Sequence, residues 1–194
     1  MHTVRGNTGY MRAVAALAVM AFGLMATSFY STYAVRELGA GSIEVARFTS
    51  IAVGVGVVCF PAFGRVADCY GHKRSLELAA LSFAGAAGAA LLMPSLAGVY
   101  IALVLGGAGI SGQLVSQNVI WSEFSPTHAD VPLYISASML LMMPFRALAP
   151  ALAGWLADMW GFRVMFAAAL AAGVASFTIL KLAVPEPRRI ASKC

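Results

Sequence analysis

Apolar residues run along this chain in six long blocks, separated by short polar breaks. The blocks cover roughly residues 13–35, 45–63, 76–93, 98–121, 131–157 and 162–184. Each is close to the ~20 residues a helix needs to cross the hydrocarbon core of a bilayer. In lipid an open chain satisfies its own backbone only as a helix. The pattern therefore predicts six transmembrane helices, packed as one domain over residues 1–194. Pro94 ends the third block, Pro144 and Pro150 lie inside the fifth, and Pro185-Glu186-Pro187 stops the sixth.

Composition sharpens this picture. The chain is 60% hydrophobic and only 11% charged, with a mean hydropathy of +0.82. About a quarter of an ordinary soluble domain is charged. A water-exposed globule of this composition would carry large apolar patches, so the lipid bilayer is the expected solvent. The fold class is an all-α membrane protein, a six-helix transmembrane bundle. The net charge of +5 does not point to nucleic acid, because the basic residues sit at block ends rather than along one face. With the N-terminus inside, Arg5, Arg12, Arg65, Lys73, Arg74, Lys181, Arg188, Arg189 and Lys193 fall on the cytoplasmic side. Arg36, Arg47 and Arg163 fall outside. This asymmetry predicts cytoplasmic N- and C-termini in the plasma (inner) membrane. The first apolar block is too long for a cleaved signal, and further blocks follow it, so it is read as a retained span. Cys59, Cys69 and Cys194 match no metal spacing and suggest no disulfide framework. The methionines read as flexible packing.

The densest charge lies between the second and third blocks, in Gly64-Arg65-Val66-Ala67-Asp68-Cys69-Tyr70-Gly71-His72-Lys73-Arg74. A tight reversal is expected here, permitted by Gly64 and Gly71. Asp68 suits the N-terminus of the following helix. His72, Lys73 and Arg74 are expected to hold the loop at the anionic cytoplasmic face, making an electrostatic latch. The stretch resembles the loop signature of the major facilitator superfamily, G-x-x-x-D-[RK]-x-G-[RK]-[RK]. Gly64, Asp68, Gly71 and Lys73 match it, while Cys69 and His72 stand where basic residues are usual. Pro150-Ala151-Leu152-Ala153-Gly154-Trp155-Leu156-Ala157-Asp158, followed by Trp160-Gly161-Phe162-Arg163, resembles the end of that family's fifth or eleventh helix. The fourth block lacks the arginine common in first halves, and Val184-Pro185-Glu186-Pro187-Arg188-Arg189 is similar to a carrier's C-terminus, so the chain looks more like a second half. The resemblance implies a six-helix half of a secondary transporter for a small solute. Such a half works by alternating access with a second one, supplied by another copy or a separate chain, around a midplane site. Residues Gly64 to Arg74 would be its conformational switch.

Polar groups inside the blocks are the candidate site. Arg146 lies deep in the fifth block, where a charge costs roughly 2.5–3.5 kcal/mol. It is read either as a cavity group attracting an anion or as a partner within the bundle. Gln113, Gln117 and Trp121 share one helical face, with Ser116 and Asn118 beside it. They form a cavity wall or interhelical hydrogen bonds. Tyr30 and Tyr33 are expected as aromatic-belt anchors. No acid suited to a proton relay is evident within a span: Asp68 and Asp158 are at span ends, and Glu123, His128 and Asp130 fall in a loop. Residues 107–112 spell G-x-G-x-x-G, but inside an apolar span and outside any βαβ context. No Ser-His-Asp, H-E-x-x-H or P-loop arrangement occurs. An enzyme, a cofactor and a metal site are therefore not expected. The rival to a transporter is a non-transporting accessory subunit or an inactive truncated fragment.

Overall fold

The computed structural model describes residues 6–186. Among them the chain forms eight α-helices and two 3-10 turns, with no strand. Helix α1 (Thr8–Leu24) runs through a 3-10 turn (Met25–Ser28) into α2 (Tyr30–Leu38). Then come α3 (Ser42–Tyr70), α4 (His72–Leu92), α5 (Leu96–Ser116) and the short α6 (Val119–Glu123). A second 3-10 turn (His128–Asp130) leads to α7 (Val131–Trp160) and α8 (Phe162–Ala183). Six stretches are long and apolar enough to cross a membrane: Thr8–Leu38, Ser42–Tyr70, His72–Leu92, Leu96–Glu123, His128–Trp160 and Phe162–Ala183.

Local chemistry starts and stops these helices. The Asn7 side chain accepts from the Tyr10 amide to cap α1, and Ser95 accepts from Gly98 to cap α5. The Glu44 carboxylate accepts from the Gly41 amide at the head of α3. Gly39 ends α2 in the left-handed conformation at φ 68°. Single glycines at φ 93° (Gly71) and φ 84° (Gly161) join α3 to α4 and α7 to α8. Pro61, Pro144 and Pro150 stay inside continuous helices.

The helices outrun several of the apolar blocks. Helix α3 continues past residue 63 to Tyr70, because Gly64 and Arg65 do not break it. A long arginine side chain keeps its head in water while its stem lies along the helix. The expected loop is thus one residue, Gly71. Gly64, Arg65 and Asp68 lie in the last turns of α3, and His72, Lys73 and Arg74 open α4. Gly64 makes no turn. The fourth block is interrupted at Gln117 and Asn118 before α6 begins.

Helices α4, α8 and α1 make the centre of the bundle, with α5 against α4. Small residues set these approaches. A Cβ at Gly23 would stand 3.2 Å from the Gly173 Cα, and one at Gly173 would stand 3.0 Å from the Ala84 backbone. Tyr30 and Tyr33 belong to this core and not to an aromatic belt. Tyr30 stacks on Phe166 at 5.6 Å, and Tyr33 meets Phe162 and Phe166 edge-on or tilted at 5.4 and 5.1 Å. The reason is length: α2 runs on to Leu38, so both tyrosines sit a turn or more inside the helix end. Cys59 is a free thiol. Cys194 and the basic residues Arg5, Arg188, Arg189 and Lys193 lie outside the described residues.

Two helices stand apart. In the most apolar stretch of α3 only 6% of residues are buried, and in that of α7 17%, against 61% in α4. Helix α3 leans chiefly on α5, and α7 on α1 and α8. Among the described residues the side between α3 and α7 is open, with α1 and α5 as its floor.

Candidate functional site

The floor of that open side is polar at one point. The 3-10 turn at Met25–Ser28 lies midway along the first span, and Thr27 Oγ1 donates to the Leu24 carbonyl at 2.7 Å there. A change of helix type inside a span often marks a functional hinge. Across from the turn, α5 ends at Ser116. The following Gln117 sits 2.8 Å, amide to carbonyl oxygen, above Gln113. Helix α7 brings Arg146 to the same place. These three elements enclose a cavity of about 280 Å³, lined by Leu24, Met25, Gln113, Leu114, Gln117 and Arg146 among others.

One oxygen organises the cavity. Gln117 Oε1 accepts from Arg146 Nη2 at 2.6 Å and from Gln113 Nε2 at 3.3 Å. Gln113 and Gln117 are buried, while Arg146 is exposed on the open side. Among the described residues no carboxylate pairs with Arg146. Its polar partner is a neutral amide, which fixes the guanidinium but leaves its charge unbalanced. Among the described residues, Gln117 Oε1 is the one acceptor hydrogen-bonded to the guanidinium, which carries five N–H donors. The rest of the lining is apolar.

The other two sequence candidates lie elsewhere. Asn118 is exposed at the break before α6. Trp121 is 2% exposed and packs edge-on against Tyr10 at 5.4 Å, in a separate core with Phe124 and Tyr134. Trp121 follows the two turn residues Gln117 and Asn118 and does not join Gln113 and Gln117 in the cavity lining.

The charged stretch at the end of α3 is also rearranged relative to expectation. Lys73 is buried and pairs with Glu77 at 3.6 Å, and Arg74 reaches the same carboxylate at 3.3 Å. Lys73 thus faces Glu77 rather than lipid headgroups. Glu77 was missed as a buried acid, although the Lys73-to-Glu77 spacing of one helical turn is the signal for such a pair. His72 Nδ1 lies 3.3 Å from Ser116 Oγ, and Ser75 Oγ donates to the Gly112 carbonyl at 3.4 Å. The start of α4 is therefore tied to the end of α5, immediately before Gln117. Glu186, beyond α8, completes the cluster. Its Oε1 is 3.0 Å from where a Gly71 Cβ would stand.

A repeat ties the two glycine hinges together. Gly64-x-x-Ala67-Asp68-x-x-Gly71 recurs as Gly154-x-x-Ala157-Asp158-x-x-Gly161, and both final glycines have ψ near 160° (155° and 165°). Three spans separate the two hinges, so they lie at opposite ends of the bundle. At the second, Asp158 meets Arg36 at 3.6 Å, with both side chains exposed.

Six long apolar helices with an arginine exposed deep on an open side define an integral membrane protein of transport type. The family model of the Major Facilitator Superfamily matches residues 13–193, and the chain belongs to that superfamily, whose members are transporters. Its six helices correspond to one half of such a transporter. Comparison with curated proteins gives no match.

Proposed function

We propose that this chain is half of a secondary transporter that moves a small solute by alternating access with a second six-helix half. The second half, either another copy or a separate chain, covers the open side between α3 and α7. The solute binds on the cavity floor at Arg146, Gln117 and Gln113. The observation that carries this reading is the unbalanced guanidinium exposed on the one side of the bundle that lacks a helical neighbour. A charge deep in a span is costly and marks a pathway or a site.

The stretch from Gly64 to Arg74 serves as the conformational switch. Its contact with the site is short: His72 meets Ser116, and the next residue, Gln117, holds Arg146. Movement of α4 against α5 at this end would shift the carbonyl that orients the guanidinium. The equivalent hinge at Gly161, with the Arg36–Asp158 pair, serves the opposite face. The chain sits in the plasma (inner) membrane with both termini cytoplasmic, as the excess of Arg65, Lys73, Arg74 and Lys181 over Arg36, Arg47 and Arg163 favours.

Counterflow of a panel of labelled small solutes in proteoliposomes tests the reading. Uptake above empty vesicles, reduced by Asp68→Asn without loss of folded protein, is the expected result. Normal rates in Asp68→Asn contradict the switch. Absence of flux for every solute, with a strictly monomeric protein, favours the rival, a non-transporting membrane subunit.

A further inference from the structure

The cavity at Arg146 has a charge and a shape that together select a chemical class. We infer that it binds an organic monoanion with an apolar body, such as an alkyl or aryl carboxylate or sulfonate. This rests on the reading of the cavity as the solute site.

Charge comes first. Arg146 is held by Gln117 Oε1 at 2.6 Å and by no carboxylate among the described residues. Among the described residues, no Asp, Glu, Lys or His lines the cavity beside it. In a medium less polarisable than water, a lone guanidinium repels cations strongly. A neutral solute leaves its charge uncompensated. A dianion brings one negative charge too many for this half, whose described lining holds no second cation to meet it. A single negative charge restores neutrality. The guanidinium is also suited in shape, since its planar fork takes a carboxylate through two parallel hydrogen bonds. Gln117 occupies one Nη, and the guanidinium, which lines the cavity, makes no other hydrogen bond among the described residues. Gln113 stabilises that arrangement by donating to the same oxygen at 3.3 Å.

Shape comes second. Apart from the two glutamines, Arg146 and Ser28, the lining is Ala21, Leu24, Met25, Ile110, Leu114, Ala149 and Pro150. This wall offers no hydrogen bond to a hydroxylated or zwitterionic body. It buries hydrocarbon well, at about 25 cal/mol per Å² of apolar surface. A polar ring of donors at one end and an aliphatic wall at the other is the complement of an amphiphile with one charged head.

The test uses the full chain in nanodiscs, with hexanesulfonate and hexanoate as monoanions. Hexanamide, hexylammonium and adipate serve as the neutral, cationic and dianionic counterparts. Binding is read by titration calorimetry and by the melting temperature. The two monoanions are expected to bind at least about tenfold more tightly than the other three, as one charged hydrogen-bonded contact implies. Arg146→Gln is expected to lose that preference, and Arg146→Lys to keep part of it because the charge remains but the fork is gone. Variants are compared only where their melting temperatures without ligand match that of the parent. Tighter binding of hexanamide or hexylammonium, binding of hexanesulfonate unchanged in Arg146→Gln, or no binding of either monoanion overturns the inference. Hexanesulfonate is permanently charged and does not leak through lipid, so its flux in proteoliposomes separates this inference from the transport reading. Arg146-dependent binding without flux upholds the anion site and removes the reading in which a second copy of this chain completes the transporter. Flux of hexanamide alone upholds the transporter and removes the anion site.

Discussion

At the scale of single residues, the burial of polar groups divides function from packing. Arg146 was legible in the sequence, because no other lysine or arginine lies so deep in an apolar block. Its partner was half legible: Gln117 was singled out together with Gln113, but the meeting of α5 and α7 is a matter of tertiary structure. Helical spacing alone groups Trp121 with them, whereas its neighbours in the fold place it in a different core. Tyr30 misled for a similar reason. Its position near a block end suggested an interface, whereas the helix runs on and buries it completely. Its hydroxyl is buried with no hydrogen-bond partner among the described residues, next to a second cavity shared with Thr27, Ala52 and Gly106. A buried unpaired hydroxyl opposes folding by about 1–3 kcal/mol. Tyr30→Phe should therefore leave the melting temperature unchanged or raise it. A clear fall in the melting curve would mean that the hydroxyl has a partner in the folded membrane protein.

At the scale of elements, the helix lengths and the two glycine hinges carry the account. The six blocks were visible because lipid demands long uninterrupted apolar runs. Their ends were not, because charged residues such as Arg65 and Lys73 continue a helix as easily as they leave it. The two glycines of the charged stretch illustrate the difference. Gly64 lies inside α3 with open space around it, so Gly64→Ala should be neutral or stabilise by up to ~1 kcal/mol. Gly71 stands at φ 93° beneath the Glu186 carboxylate, so Gly71→Ala should destabilise by about 1–2 kcal/mol or more. Melting of the two variants side by side in one detergent checks the contrast, and equal effects would contradict it. Glu186 carries a pH signature at the same hinge. Although the residue as a whole is exposed, its carboxyl rests against Gly71. Burial pushes its pKa above the usual carboxylate range, Glu77 adds to this, and Lys73 and Arg74 oppose it. A raised folded pKa means that the folded state holds its proton longer than the unfolded state. Stability from this group is thus full below the ordinary carboxylate range and declines as pH rises through the folded value. Glu186→Gln should flatten the fall in melting temperature between acidic and neutral pH. An unchanged or steeper fall would remove Glu186 as its source.

At the scale of the whole molecule, the uneven burial of the helices is the ground for proposing a second half. A self-sufficient bundle of six helices would bury each of them to a similar degree. Here α4 is mostly enclosed while α3 and α7 are nearly bare. Both bare helices are apolar, with Val57, Val58, Leu140 and Met143 each more than 60% exposed. Sequence pattern had no access to this, because lipid and a second bundle ask for the same apolar residues. Only the packing of the other helices separates the two faces. The repeated Gly-x-x-Ala-Asp-x-x-Gly stretches fit the same picture, since they place one glycine joint at each end of the bundle.

The central claim is that the open side between α3 and α7 faces a second six-helix half. Cross-linking in native membranes tests it most directly. Cysteine is introduced at Val57 on α3 or Met143 on α7, and at Leu182 on the far end of α8 as a control, each in a background with the native cysteines replaced. The account predicts a covalent adduct at Val57 and Met143 whose mass exceeds one chain by about another six-helix half, and none at Leu182. Monomer at all three positions, or equal adduct formation at Leu182, would contradict it.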